Sequence, residues 1–309
     1  MKTALLFPGQ GSQRVGMGRD LARTFDIARQ VYAEADDVLG FSLSTLCFDG
    51  PEDALTLTKH TQPAILTTSI AVLRVLEARG LTFDLVAGHS LGEWTALVAA
   101  GALTLRDAVR LTHLRGTYMQ AAVPVGQGAM AALMGLDLAT TRAVCEAASE
   151  PGERVEPANL NGGGQIVISG HSAAIDRAIP AAKAAGAKIA KKLTVSAPFH
   201  CSMMKPAADQ LAAALEGVVI EVPRVPVVAN VTAEATQDAA RIKQLLIQQV
   251  CAPVRWEESV QAIAGLGVTR ALELGSGAVL KGLIKRIAET IAVTTIGEPH
   301  ELDAFTAHD

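Results

Sequence analysis

The run Gly88-His89-Ser90-Leu91-Gly92 spells G-x-S-x-G, and its surroundings give it chemical meaning. Asp84–Gly88 reads as a short apolar strand and Leu91–Ala100 as a helix apolar on nearly every side, which places Ser90 on the turn between them. A serine there projects as a nucleophile, and the helix behind it offers N–H groups to developing oxyanion charge. Glycines at 88 and 92 let so sharp a turn close. The plainer alternative is a serine that only caps the helix.

A hydroxyl is a poor nucleophile until a base takes its proton, so the seven histidines come next. His89 adjoins the serine but is expected to point away from it. His60, His113, His171, His300 and His308 stand in polar or cap-like contexts, as expected of solvated surface residues. His200 differs. In Ala197-Pro198-Phe199-His200-Cys201 it follows the expected strand Leu193–Ser196 and precedes a helix, a strand-end turn of the kind that gathers ligands in open α/β sheets. A partly buried structural histidine is the competing reading.

Arg115 is singled out by helical geometry. At about 100° per residue, Ala108, Leu111, Met119 and Ala122 surround it on the apolar arc, while Arg106, Arg110, His113 and Thr117 share the other side. An inward guanidinium needs an anion, either an internal carboxylate or the carboxylate of a substrate gripped bidentately. Other motifs are weak: Gly9, Gly11 and Gly16 fail G-x-G-x-x-G because the third position is Arg14, and no G-x-x-x-x-G-K-[ST] occurs. Gly275-Ser276-Gly277 is expected to make a tight turn rather than a phosphate cradle. No His/Asp/Glu cluster has metal spacing, so no metal is expected. Lys188, Lys191 and Lys192 read as a solvated strand edge, with docking of an acidic partner as the alternative.

The elements that must position these groups follow from composition and pattern. The 309 residues are 50% hydrophobic, 19% charged and only 4% aromatic, so the apolar mass is aliphatic, the usual filling of layered α/β proteins. A net charge of −4 gives no sequence-wide reason to bind nucleic acid or an anionic membrane. Four scattered cysteines (Cys47, Cys145, Cys201, Cys251) argue against a redox motif or disulfide framework and fit a reducing cytoplasm. The start of the chain is too short in apolar residues for a signal peptide, and Gly116–Leu136 is broken by Pro124, Gly126, Gln127 and Gly128, so no membrane span is expected.

Thr3–Phe7 reads as a strand ended by Pro8-Gly9-Gln10-Gly11-Ser12-Gln13, and helical segments follow to Gly80. The clearest of these runs from Thr61 as N-cap, with Pro63 in the first turn, to Arg79. Thr104 is expected to cap the next helix, with Asp107 closing a capping box. Between Val125 and Val195 strands at 129–136, 155–160, 165–169 and 188–194 alternate with helices near 139–149 and 173–185, the β-α-β-β-α-β order of a ferredoxin-like unit. An α/β rhythm returns afterwards: helix near Lys205–Glu216, strand Val225–Asn230, helices Ala239–Val250 and Trp256–Leu266, strand Arg270–Leu274, helix Ala278–Ala288 and strand Ala292–Ile296. The expectation is an α/β protein in which a small domain, 125–195, is inserted into a larger one formed by 1–124 and 196–309.

Taken together, Phe7-Pro8-Gly9-Gln10-Gly11-Ser12-Gln13, Gln62-Pro63, Gly88-His89-Ser90-Leu91-Gly92-Glu93, Arg115, Ala158-Asn159-Leu160-Asn161, Phe199-His200 and Asn230-Val231-Thr232 resemble the malonyl-CoA:acyl carrier protein transacylases, in the family's order and spacing over almost the whole chain. The resemblance implies a large α/β-hydrolase-like domain with a ferredoxin-like insertion. It makes Ser90 the acylated nucleophile and His200 its base, oriented by the main-chain carbonyl of Gln249 rather than by a carboxylate. It makes the N–H groups of Gln10 and Leu91 the oxyanion hole, and Arg115 the holder of the malonyl carboxylate, with Gln62, Asn159 and Phe199 also in the substrate site. The bulky Phe199 ring resembles the malonyl-selecting form of related acyltransferases. Trp94 and Phe199 depart from the family's usual smaller aromatic and from the serine seen in many bacterial members.

The implied partners are a coenzyme A thioester and a holo acyl carrier protein, with no cofactor, no nucleic acid, no membrane and a monomeric, cytoplasmic enzyme of fatty-acid biosynthesis. A stand-alone polyketide acyltransferase is the alternative. A serine hydrolase or a non-catalytic scaffold of the same fold are the readings from other classes.

Overall fold

The computed structural model describes residues 2–195 and 197–305. Ser196, the end of the expected strand Leu193–Ser196, and His308 lie outside the described residues. Among the described residues ten strands form two sheets: β1 (Lys2–Phe7), β2 (Leu85–Gly88), β3 (Gly128–Met134), β4 (Val155–Gly162), β5 (Gln165–His171), β6 (Ile189–Lys192), β7 (Val227–Val228), β8 (Ala235–Thr236), β9 (Val268–Leu274) and β10 (Ala292–Ile296).

The first sheet runs β10-β9-β1-β2-β7-β8 and is parallel except for β8 at one edge. Its central strands are buried on both faces: in β1, Ala4 to Phe7 are all inaccessible, as expected of a sheet layered between helices. One core cluster includes Leu5, Phe7, Trp94 and Leu97, while Ala4, Leu6 and Trp256 belong to another. The helix Leu91–Ala99, buried along its whole length, is the element that the near-continuous apolar sequence predicts.

The second sheet runs β4-β5-β3-β6 with every pairing antiparallel, the order that a β-α-β-β-α-β chain adopts in a ferredoxin-like unit. It has its own core around Leu133, Ile168 and Ile175. The second sheet is tied to the segment before the Trp256 helix, where Leu160 N–H donates to the Val254 carbonyl at 2.8 Å and Val254 N–H to the Ala158 carbonyl at 2.9 Å.

Several boundaries differ from expectation. The long helix runs Thr58–Ala78, so Thr61 is not its N-cap but a buried residue whose hydroxyl donates to the Leu55 carbonyl at 2.6 Å. Pro63 sits inside this helix, and the Lys59 carbonyl it cannot serve accepts instead from His113 Nδ1 at 2.9 Å. The strand expected at Val225–Asn230 shrinks to Val227–Val228. Thr104 does cap its helix, accepting from Asp107 N–H at 3.0 Å, but the Asp107 carboxylate takes the Thr104 hydroxyl.

Candidate active site

Ser90 occupies the sharp turn between β2 and its helix with φ 51° and ψ −106°, a conformation that costs a non-glycine residue energy and persists only where neighbours impose it. The neighbours are visible. A Cβ on Gly88 would stand 2.0 Å from the Gly92 carbonyl carbon, and one on Gly92 would stand 2.0 Å from the Phe7 carbonyl oxygen, so glycine alone permits this approach of strand and helix. Asn230, just past β7, fixes the turn from the side: its Oδ1 accepts Ser90 N–H at 2.7 Å and its Nδ2 donates to the Gly88 carbonyl at 2.7 Å.

The Ser90 hydroxyl does not cap the helix. Its Oγ lies 2.7 Å from His200 Nε2, and His200 Nδ1 donates to the main-chain carbonyl of Gln249 at 2.8 Å. That second bond places the proton on Nδ1 and leaves Nε2 bare to accept from serine. His200 is 4% exposed; burial, followed by the nearby Arg115 charge, lowers its pKa to about 3 against the Gln249 bond. Among the described residues no strand end delivers it. β6 stops at Lys192, and His200 comes from the following irregular segment at φ 59°, so the expected strand-edge placement is corrected.

Arg115 is 1% exposed and touches no carboxylate among the described residues. Nη1 donates to Gln62 Oε1 at 2.7 Å, while Nη2 donates to Gln249 Oε1 at 2.9 Å and Ser90 Oγ at 3.1 Å. Its buried Nε has no hydrogen-bond partner among the described residues. Burial lowers its pKa to about 10, opposed by the charge of Glu93.

These groups face a cavity of about 140 Å³ whose walls come from both sheets' neighbourhoods. Gln10, Gln62, Leu91 and Met119 line it from the larger unit; Met130 and Asn159 come from β3 and β4, and Leu193, Val195 and Phe199 from the segment leading to His200. All nine residues singled out by the sequence except Gln249 line this cavity, and Gln249 stands directly behind it on Arg115 and His200. Leu91 is the first residue of its helix, so its N–H has no acceptor within that helix.

The His89 ring is held by groups other than the Ser90 hydroxyl. It lines the same cavity, with Nε2 2.8 Å from Asn161 Oδ1 and its ring 5.5 Å from that of Trp256; burial lowers its pKa. His60, His113 and His171 are half-buried and hydrogen-bonded rather than solvated. Gly275-Ser276-Gly277 makes a turn, and Glu273 accepts the N–H groups of Leu280 and Lys281, so a carboxylate already fills that helix end. Lys188, Lys191 and Lys192 lie exposed on or beside the edge strand β6, with Lys192 paired to Asp176 at 2.7 Å. Cys201, beside the base, is buried with its thiol pushed up to about 11, unsuited to act as a thiolate.

Three side chains that hold the site have no role in the sequence reading: Asn230, the Gln249 carboxamide and Glu93. Glu93 Oε2 accepts from Asn230 N–H at 2.9 Å and from Gln249 Nε2 at 2.7 Å, and Gln249 Nε2 also donates to the Ser90 carbonyl at 3.0 Å. The only signal was their presence inside motifs read for other residues.

A strained serine turn at the end of a parallel strand, with a neutral imidazole on its hydroxyl, is in an α/β protein the arrangement that acyl transfer through serine would require. The comparisons narrow this: the chain belongs to the acyltransferase family, whose acyl transferase domain matches residues 4–295. It is 48% identical over 302 residues to the malonyl CoA-acyl carrier protein transacylase of Salmonella typhimurium, covering 97% of each chain. It is 46% identical to that of Bacillus subtilis, covering 98% of this chain and 95% of the relative. Among solved structures it is similar to an acyl-carrier-protein-S-malonyltransferase from Bartonella henselae (TM-score 0.96, 48% identity, 98% of each chain). It is also similar to a malonyl-transacylase in complex with its type II PKS acyl-carrier protein (TM-score 0.97, 46% identity, 100% of each chain).

Proposed function

We propose that the protein transfers the malonyl group of malonyl-CoA to the phosphopantetheine thiol of a holo acyl carrier protein through a malonyl-serine intermediate. The observation that carries this reading is that Ser90 Oγ lies within reach of both a neutral base, His200 Nε2 at 2.7 Å, and a buried guanidinium free of any carboxylate, Arg115 Nη2 at 3.1 Å.

In this mechanism His200 takes the Ser90 proton as Oγ attacks the thioester carbonyl. The N–H groups of Gln10 and Leu91 receive the oxyanion. Collapse breaks the carbon–sulfur bond, and the imidazolium returns its proton to the leaving CoA thiolate. The carrier thiol then attacks the serine ester by the reverse steps, a ping-pong scheme. Arg115 pairs with the malonyl carboxylate; an acetyl group would leave the guanidinium unpaired. Gln62, Asn159 and Phe199 shape the space around that group. The reading needs no cofactor or metal, and assigns the chemistry to the six-stranded unit, 1–124 and 196–309, as an α/β-hydrolase-like domain closed over by the 125–195 insert.

The setting is read as cytoplasmic fatty-acid biosynthesis. A polyketide setting is the second reading, favoured by the likeness to a transacylase bound to a type II PKS carrier. Incubation with malonyl-CoA and several holo carrier proteins tests activity and setting together. Malonyl carrier and a malonyl-enzyme detected by intact mass, the latter lost in Ser90→Ala, are expected; rapid free malonate without malonyl carrier would show a hydrolase, and an unacylated protein a scaffold.

A further inference from the structure

Arg115 presents a problem of charge. A guanidinium that is 1% exposed needs an anion, yet its three hydrogen-bond partners, Gln62, Gln249 and Ser90, are neutral. The nearest anion stands one side chain further away. Gln249 accepts Arg115 Nη2 on its Oε1 and donates from its Nε2 to Glu93 Oε2, forming the chain Arg115–Gln249–Glu93 with every partner buried. Glu93 is 2% exposed and lies in the first turn of its helix, where the macrodipole favours negative charge.

We infer that Glu93 is a specificity-setting positioning residue, the counter-charge of Arg115 held one carboxamide away, so that the guanidinium is balanced inside the protein yet kept open for a substrate carboxylate. A glutamate in direct contact would be an internal competitor that each substrate had to displace. With none, Arg115 would hold its carboxylate ligand tightly and pay the full cost of an unbalanced buried charge in the empty site. The spacer sets the grip between these extremes. The mutual influence is visible in both groups: burial raises the Glu93 carboxyl to about 7 against the hydrogen bonds from Asn230 and Gln249 and, to a smaller extent, the Arg115 charge, and Glu93 props up Arg115 against burial.

This rests on the malonyl-transfer reading, and its test is separable from that reading. The variant is Glu93→Gln, whose amide oxygen can still accept from Asn230 and Gln249 but carries no charge. Half-saturating concentrations for acyl-enzyme formation are measured with malonyl-CoA and acetyl-CoA at pH 8. Glu93→Gln is expected to lower the malonyl value about fivefold and change the acetyl value less than twofold. Equal changes for both thioesters, or none, would show a merely structural glutamate and overturn the inference. Wild-type protein that forms no malonyl-enzyme would instead overturn the functional reading.

Should Glu93→Gln not fold, the wild type supplies a second readout. Of the titratable groups around this chain, His200, lowered by burial to about 3, stays neutral between pH 6 and 8 and Arg115, at about 10, stays charged, while His89 faces the cavity with its pKa lowered by burial. Gln62, Gln249 and Asn230 do not titrate. Protonation of Glu93 therefore makes the malonyl value fall relative to the acetyl value as pH drops from 8 to 6; acetyl-CoA carries the same phosphates, so their titration cancels. A constant ratio overturns the inference.

Discussion

His200 Nδ1 donates to the main-chain carbonyl of Gln249 at 2.8 Å, where serine enzymes of the Asp-His-Ser kind place a carboxylate. A carbonyl fixes the tautomer and the ring but stabilises the imidazolium less than an anion does. With burial and the Arg115 charge acting together, the imidazole stays neutral down to about pH 3.

The pH profile follows. Acylation kcat/KM reports the free enzyme, so His200 contributes no fall in rate near pH 6.5, and its acid limb lies near pH 3. For stability the sign is that of a depressed base: the unfolded chain binds the proton first, so the contribution is full above about pH 6.5 and is lost progressively as pH falls towards 3. A kcat/KM limb near 6.5 that His200→Ala removes in the residual rate would contradict this.

Backbone strain at Ser90 makes a second prediction. At φ 51° alanine keeps the strain and glycine relieves it, so Ser90→Gly should be more stable than Ser90→Ala by about 1 kcal/mol, while neither forms an acyl-enzyme. Chemical denaturation of the two variants checks it; alanine equal to or above glycine would mean that the turn is relaxed.

Removing the guanidinium should cost discrimination more than chemistry. Arg115→Ala is expected to lower malonyl kcat/KM about a hundredfold and the malonyl-to-acetyl kcat/KM ratio by a similar factor, because only malonyl loses a partner. Arg115→Lys should recover little of the ratio, having a point charge in place of the fork that now spans Gln62 and Gln249. An unchanged ratio in Arg115→Ala would reduce Arg115 to an internal hydrogen-bond centre.

How much of this was legible depends on how local each signal is. Ser90 could be read because its glycines, strand and helix are contiguous, and the ferredoxin-like order because its six elements alternate cleanly. His200 stood out by its local context, but its role as base rested on resemblance: 193–195 form no strand, and a main-chain carbonyl partner leaves no side-chain signature at Gln249. The misread start of the helix at Thr61 has a specific cause. Proline favours a first turn, but helix entry at Thr58, ahead of Pro63, is tolerated because His113 takes the carbonyl that proline leaves free. Glu93, Gln249 and Asn230 meet across more than a hundred residues of chain, and no local pattern encodes such a meeting.

The turn after β1 supplies the last prediction. Pro8-Gly9-Gln10 leaves β1 at Phe7, whose carbonyl accepts His89 N–H at 3.1 Å, so this turn lies against the nucleophile's own turn. A Cβ on Gly9 would stand 2.5 Å from the His89 carbonyl oxygen, a contact between two main chains that no side-chain rotation relieves. The loop must therefore shift in Gly9→Ala, and Gln10 N–H shifts with it, away from the oxyanion it is proposed to bind. Losing one such donor costs about a hundredfold or more in kcat. The expected signature is a fall of that order in kcat with the malonyl KM changed less than threefold, since Arg115 and Gln62 lie on other elements. A folded Gly9→Ala protein with wild-type kcat would show that the N–H of Gln10 takes no part in stabilising the transition state.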